Sequence, residues 1–120
     1  MFGGFYSVVV TEQGKENHDP NIFVFSFESH RRCETPQRFV LKKWVKEKAY
    51  VIFKKNNQYG FVWFGMYEGF YLGNERSDSY CKIMSGGFEG IQDTTLTGKS
   101  EGGPFGPFHH CTRLVAIQLE

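Results

Sequence analysis

The sequence predicts a mainly β protein, a two-sheet antiparallel β-sandwich with little helix. Three observations carry that prediction. Aromatic residues make up 18% of the chain, with thirteen Phe, six Tyr and two Trp, and aromatic side chains favour pleated, half-buried surfaces. Fourteen Gly and four Pro divide the chain into short pieces. Apolar residues recur with a period of two in several places, and no helical period runs longer than about two turns. At 120 residues the chain suits one domain, spanning 1–120.

The elements follow in order. Phe5 to Val10 reads FYSVVV and predicts a first strand. A charged break from Thr11 to Asn21 contains Asp19-Pro20. Ile22 to Glu28 reads IFVFSFE, with Phe23, Phe25 and Phe27 on one face and Val24, Ser26 and Glu28 on the other. After a polar loop with Pro36, Arg38–Leu41 and Ala49–Phe53 are further strands, with a short helix candidate at Trp44–Lys48. Tyr59–Phe64 and Gly69–Leu72 form a hairpin around Gly65-Met66-Tyr67-Glu68. Tyr59, Phe61 and Trp63 share one face of its first strand and Val62 and Phe64 the other, which predicts a central strand covered on both sides. Leu114 to Leu119, LVAIQL, predicts a last strand. Gly73 to His110 is irregular and glycine-rich, read as short strands or an extended loop. The predicted core is Phe23, Phe25, Phe27, Phe61, Trp63 and Ile117.

Composition removes several function classes. The net charge is +1, so the chain as a whole is not built to attract nucleic acid. No stretch approaches the ~18 apolar residues of a membrane span. Met1 to Gly4 shows no leader character. Three cysteines, Cys33, Cys81 and Cys111, are an odd number, and no N-x-S/T site occurs. These features predict a cytoplasmic protein with reduced thiols.

The motifs that suggest chemistry each have a simpler reading. Thr97-Gly98-Lys99-Ser100 resembles the end of a phosphate loop, but the loop needs Gly five residues before Gly98 and Asp93 stands there; a surface turn is the expectation. Ser85 to Gly90 lacks the GxGxxG spacing and reads as a turn anchored by Phe88. His109-His110-Cys111 would put only His109 and Cys111 on one face, short of the four ligands of a closed zinc site. Neither a metal nor a cofactor is expected. A Cys–His pair such as Cys81 with His110 and Asp93 would be assembled in space, so the sequence does not display it. Glu68, Glu75 and Glu89 have no spacing that singles out an acid/base pair.

Charge is more informative. Arg38 to Lys55 holds seven basic residues against one acid, Glu47, giving +6 there and −5 for the rest. Lys42, Lys43, Lys46 and Lys48 are the candidate partner-binding residues, facing an acidic protein surface or, peripherally, an anionic membrane. The alternative is a solvated edge, since lysines also guard edge strands against unwanted pairing.

Several segments resemble the TLDc domain of oxidation-resistance proteins. Phe2-Gly3-Gly4-Phe5 with Ser7-Val8 is similar to that family's entry strand. Asp19-Pro20-Asn21-Ile22-Phe23-Val24-Phe25-Ser26-Phe27 resembles its next strand. Pro36 to Lys42, PQRFVLK, resembles a segment of protozoan members. Gly69-Phe70-Tyr71-Leu72, running through Ser77 to Cys81, is similar to its glycine–aromatic strand, and Leu114–Glu120 to its closing strand. The helices that precede the entry strand in complete members have no counterpart, and Gln118 stands where an acid is usual. The resemblance implies an N-terminally shortened TLDc-like domain, non-enzymatic and intracellular. It further implies a protein-interaction role in oxidative-stress protection, with the vacuolar proton ATPase as partner. Two competing readings are a carbohydrate-binding sandwich using Trp63, Tyr67 and Tyr71, and an enzyme built around Cys81.

Overall fold

The computed structural model describes residues 1–27, 34–54, 60–66, 68–74, 78–92, 94–96, 108, 109, 113–115, 117 and 119. Its strands are β1 (Phe2–Phe5), β2 (Asn17–Asp19), β3 (Phe23–Ser26), β4 (Gln37–Val40), β5 (Lys48–Ile52), β6 (Gly60–Phe64), β7 (Gly69–Gly73), β8 (Ser79–Lys82) and β9 (Phe108–His109). A single turn of helix, α1 (Met84–Gly87), follows β8. The strands form two antiparallel sheets, β1-β3-β4 and β2-β5-β6-β7-β8-β9. The predicted mainly β, two-sheet fold is what the chain adopts.

The register shows which side of each sheet faces in. In the three-stranded sheet Gly4 pairs with Val24 and Val24 with Phe39. In the six-stranded sheet Tyr50 pairs with Phe64, Phe64 with Phe70 and Phe70 with Cys81. Val24, Phe39, Tyr50, Phe64, Phe70 and Cys81 all belong to one buried cluster, with Ile22, Leu72, Met84, Phe88, Ile91 and Leu96. The sheets therefore pack face to face. Each such side chain taken fully out of water contributes roughly 1.5–3 kcal/mol. Phe2 meets Phe70 edge-on at 5.4 Å, and Gly4 lies against the Phe64 ring so closely that a Cβ there would overlap it. Gly4 thus lets β1 approach β6, while Gly3 makes room for the Phe25 ring on the opposite face.

Asp19 ties the two sheets together. It sits at the end of β2 and is fully buried. Its carboxylate accepts hydrogen bonds from the Ser7 amide, the Ser7 hydroxyl (3.0 Å), the Val8 amide (3.2 Å) and the Asn21 amide (2.7 Å). Burial alone would raise its pKa; the hydrogen bonds outweigh burial and hold it below 3.8. Tyr50 on β5 donates its hydroxyl to the Val8 carbonyl, and Tyr6 stacks on its ring at 4.3 Å. The chain leaving β1 is therefore fastened to β2 and β5. The Ser7 amide and both backbone groups of Val8 are thus used by Asp19 and Tyr50 and are not offered to a strand ladder.

The hairpin β6–β7 turns through Gly65 (φ 78°) and Met66 (φ 46°). Gly65 is required twice over, by its left-handed backbone and because a Cβ would sit 3.1 Å from the Glu68 carbonyl oxygen.

Several expectations are corrected. The first strand is Phe2–Phe5, not Phe5–Val10. Trp44–Lys48 is no helix: a turn closes from the Val45 amide to the Lys42 carbonyl (2.8 Å), and β5 starts at Lys48. The described residues of Leu114–Leu119 lie outside strands and are exposed, Ile117 at 78%. Gly73–His110 contains β8, α1 and β9. The predicted core faces were inverted. Phe27 and Phe61 are each 45% exposed, and Phe23, Phe25 and Trp63 are half-buried, whereas Val24 and Phe64 point into the core. β6 does lie inside its sheet, but its outer face is not fully covered. Cys81 is buried; Cys33 and Cys111 lie outside the described residues.

Candidate docking site

The basic segment is organised around the turn between β4 and β5. Its entry is clamped to the segment after α1. Leu41 bridges to Phe88, the Lys42 amide donates to the Gly87 carbonyl (3.0 Å), and the Glu89 amide donates to the Val40 carbonyl (2.8 Å). Phe88 is fully buried, so this clamp is anchored in the core. At the exit, His18 Nδ1 lies 3.1 Å from Glu47 Oε1 and His18 Nε2 lies 3.5 Å from Glu16 Oε2. The turn is fixed at both ends, so little backbone freedom is lost when a partner binds it.

Trp44 is at the tip and is 72% exposed. The Lys42 ammonium lies 5.0 Å from its ring centre, within cation–π range. Lys43 and Lys46 are exposed and Lys42 is half-exposed. Lys48 behaves differently. Its side chain is largely buried and forms an ion pair with Glu68 on the β6–β7 turn. Of the four lysines expected to bind a partner, Lys42, Lys43 and Lys46 share the turn, and Lys48 is turned into the fold. The segment's one acid, Glu47, turns toward His18, and three cations, Lys42, Lys43 and Lys46, surround Trp44. Trp44 thus sits in a turn and not in the expected helix; the cluster of like charges, with Lys42 and Lys46 four apart, disfavours a helix.

The other candidates have less to offer. Cys81 is fully buried on the inner face of β8, and a thiol there is not presented to a dissolved substrate. Its suggested partners Asp93 and His110 lie outside the described residues, as do Thr97–Ser100, Glu75 and Cys111. Glu68 pairs with Lys48, and Glu89 is exposed. Phe88 anchors its glycine-rich segment as expected. Among the described residues no group of three or more His, Cys, Asp or Glu is placed to hold a metal ion. None of their helices is long and apolar enough to cross a membrane.

The aromatic residues suggested for sugar binding are engaged with one another. Tyr71 is buried and stacks on Tyr80 at 5.1 Å with the rings 20° apart. Trp63 meets Tyr71 edge-on at 6.4 Å. Neighbouring strands lie ~4.8 Å apart, so the Tyr71 and Tyr80 rings, stacked across them, offer edges, whereas a sugar stacks on a face. Tyr67 lies outside the described residues.

Compared with protein-family models, curated proteins and solved structures, the chain matches none.

Proposed function

We propose that this chain is a non-enzymatic protein-interaction module that engages an acidic partner through the turn carrying Lys42, Lys43, Trp44 and Lys46. The observation that carries the reading is Trp44, 72% exposed at the tip of a clamped turn and flanked by cations. Large exposed aromatics beside charge are the usual anchors of interfaces. The lysines would steer encounter and select partners, each solvated pair contributing ~0–1 kcal/mol and weakening with salt. Trp44 would supply the lasting part of the affinity.

The resemblance to TLDc domains points the same way. Parts of four of its quoted segments, at Phe2–Phe5, Phe23–Ser26, Gln37–Val40 and Gly69–Leu72, coincide with strands, whereas the described residues of the fifth, Leu114–Glu120, lie outside strands. On that resemblance the setting is intracellular oxidative-stress protection, and the vacuolar proton ATPase is the first partner to try. The test is capture of that partner, or of proteins from cell extract, by the wild-type chain and by Lys42→Glu/Lys43→Glu/Lys46→Glu, at low and high salt. The reading expects a large loss at low salt, a smaller one at high salt and an unchanged melting curve. Equal capture by both proteins at low ionic strength would return the segment to an ordinary solvated edge.

A further inference from the structure

The outer face of the three-stranded sheet is apolar and partly open. Pairing of Phe5 with Phe23, Phe23 with Val40 and Phe25 with Arg38 puts these residues on the side away from the core. Phe5 and Phe23 stack at 4.7 Å, and Phe25 and Phe27 meet edge-on at 5.5 Å. Phe27 is 45% exposed and Val40 43%. The border along β4 carries more cation than anion, Arg38 and Lys42 against Glu89, which is exposed and donates its amide to the Val40 carbonyl. The Arg38 guanidinium lies 4.0 Å over the Phe23 ring, and Lys42 continues the alternation of Arg38 and Val40 into the basic turn.

We infer that this face binds an amphipathic α-helix of a partner protein, apolar on the side it presents and acidic along the flank that meets Arg38 and Lys42. The inference rests on the reading of the basic turn as a docking element and extends it to a neighbouring surface. Size fits: three strands ~4.8 Å apart and four residues long give a surface roughly 10 Å by 13 Å. A helix is ~10 Å across and covers 13 Å with about nine residues. A helix laid on one face of an antiparallel sheet is a stable layer arrangement. Charge complementarity selects the flank. Carboxylates would meet Arg38 and the lysines, whereas a basic flank would bring like charges together.

The test uses the full chain and two synthetic helical peptides of ~18 residues, long enough to hold helix in water. Both carry the same leucine stripe; one has glutamates along its flank and the other lysines. Fluorescence anisotropy at low salt is expected to show the glutamate peptide binding at least ~10-fold more tightly than the lysine peptide. Phe27→Ser/Val40→Thr is expected to weaken it ~10-fold or more with the melting curve unchanged. Equal binding of the two peptides, or binding of neither, overturns the inference. If the glutamate peptide loses affinity in the triple lysine variant but not in Phe27→Ser/Val40→Thr, the face is not used and the basic turn alone stands. A wild-type dimer in sedimentation that becomes monomeric in Phe27→Ser/Val40→Thr would assign the face to a second copy. Pelleting with phosphatidylserine vesicles, lost in that variant, would assign it to a membrane. Either result overturns the helix.

Discussion

On the outer face of the six-stranded sheet, Val51, Trp63 and Tyr71 follow one another across β5, β6 and β7, and Tyr80 extends the row onto β8. Val51 and Tyr71 are buried there, and the Tyr71–Tyr80 stack and the Trp63 edge contact cover much of the row. On the outer face of the three-stranded sheet, Phe27 and Val40 are nearly half exposed. The wide sheet has neighbours on both sides of each inner strand, so the outward rings of this row can cover one another, and its two tyrosines bring hydroxyls that tolerate water; Phe61, beside the irregular register of β6, is its exposed exception at 45%. The narrow sheet has one inner strand, and its outward rings are phenylalanines, with Arg38 over one of them. The apolar surface left open at Phe27 and Val40 has no hydroxyl of its own, a property expected of a surface that meets another molecule.

The comparison breaks first at the core they share. Phe64 is 2% exposed and stacks on Phe70 at 4.9 Å. Phe64→Ala should cost ~3–5 kcal/mol in chemical denaturation. Phe25→Ala, at a half-buried outer position, should cost well under half of that. Equal losses would mean that the outer face of the narrow sheet is packed like the core.

The connection between the sheets should fail at the extremes of pH. Asp19 has a folded pKa below 3.8, so its contribution is present above about pH 4 and is lost as pH falls through the folded value. Asp19→Asn should cost about 1–3 kcal/mol at neutral pH and flatten the acid limb of the stability profile. Tyr50 is pushed up to about 12 by burial first, then by Tyr6 and Asp19. Its contribution is whole below about pH 10 and declines as pH rises toward the folded value. Tyr50→Phe should flatten that alkaline limb. Urea midpoints measured across the pH range check both; an acid limb surviving in Asp19→Asn would assign it to other carboxylates.

These two regions also show how far the sequence could be read. β3, β4, β5, β6 and β7 announce themselves by period and turn residues, and the β6–β7 hairpin by its Gly65 turn. Inside and outside were not legible, because β3 and β6 are apolar on both faces and alternation names the faces without ranking them. The choice depends on what lies opposite: Gly4 leaves room for the Phe64 ring, which puts Val24 inward and Phe23 outward. β2 was missed because Asn17-His18-Asp19 has no strand propensity; it is held by pairing with β5 and by the Asp19 hydrogen bonds. In the candidate site the charge cluster was legible. The inward turn of Lys48 was not, since its partner Glu68 is twenty residues away in sequence and meets it only through the β5–β6–β7 pairing.

A smaller effect separates the two outer faces directly. Burial first and the neighbouring Tyr71 second raise the pKa of Tyr80, as expected for a ring enclosed by its row. Tyr80→Ala should remove the stack and cost ~1–2 kcal/mol, the stacking share alone being ~0.5–1.5. Thermal denaturation measures it; a cost near zero would show that the row contributes no stability.

The smallest effect is the one that decides what the narrow face is for. Phe27→Ser and Val40→Thr each remove apolar surface that is already nearly half in water, and neither residue belongs to the buried cluster. Surface substitutions of this kind change stability by about ±0.5 kcal/mol. A structural face would lose stability with each of them, as the wide sheet is expected to do with Tyr80→Ala. A docking face would keep the melting temperature of each single variant within a few degrees, because ~0.5 kcal/mol moves a domain of about 100 residues by only ~2–4 °C, and the double variant by at most about twice that. Calorimetry on Phe27→Ser/Val40→Thr therefore separates the two roles. A loss above about 1.5 kcal/mol in the double variant would make the exposed phenylalanine face part of the fold's own support.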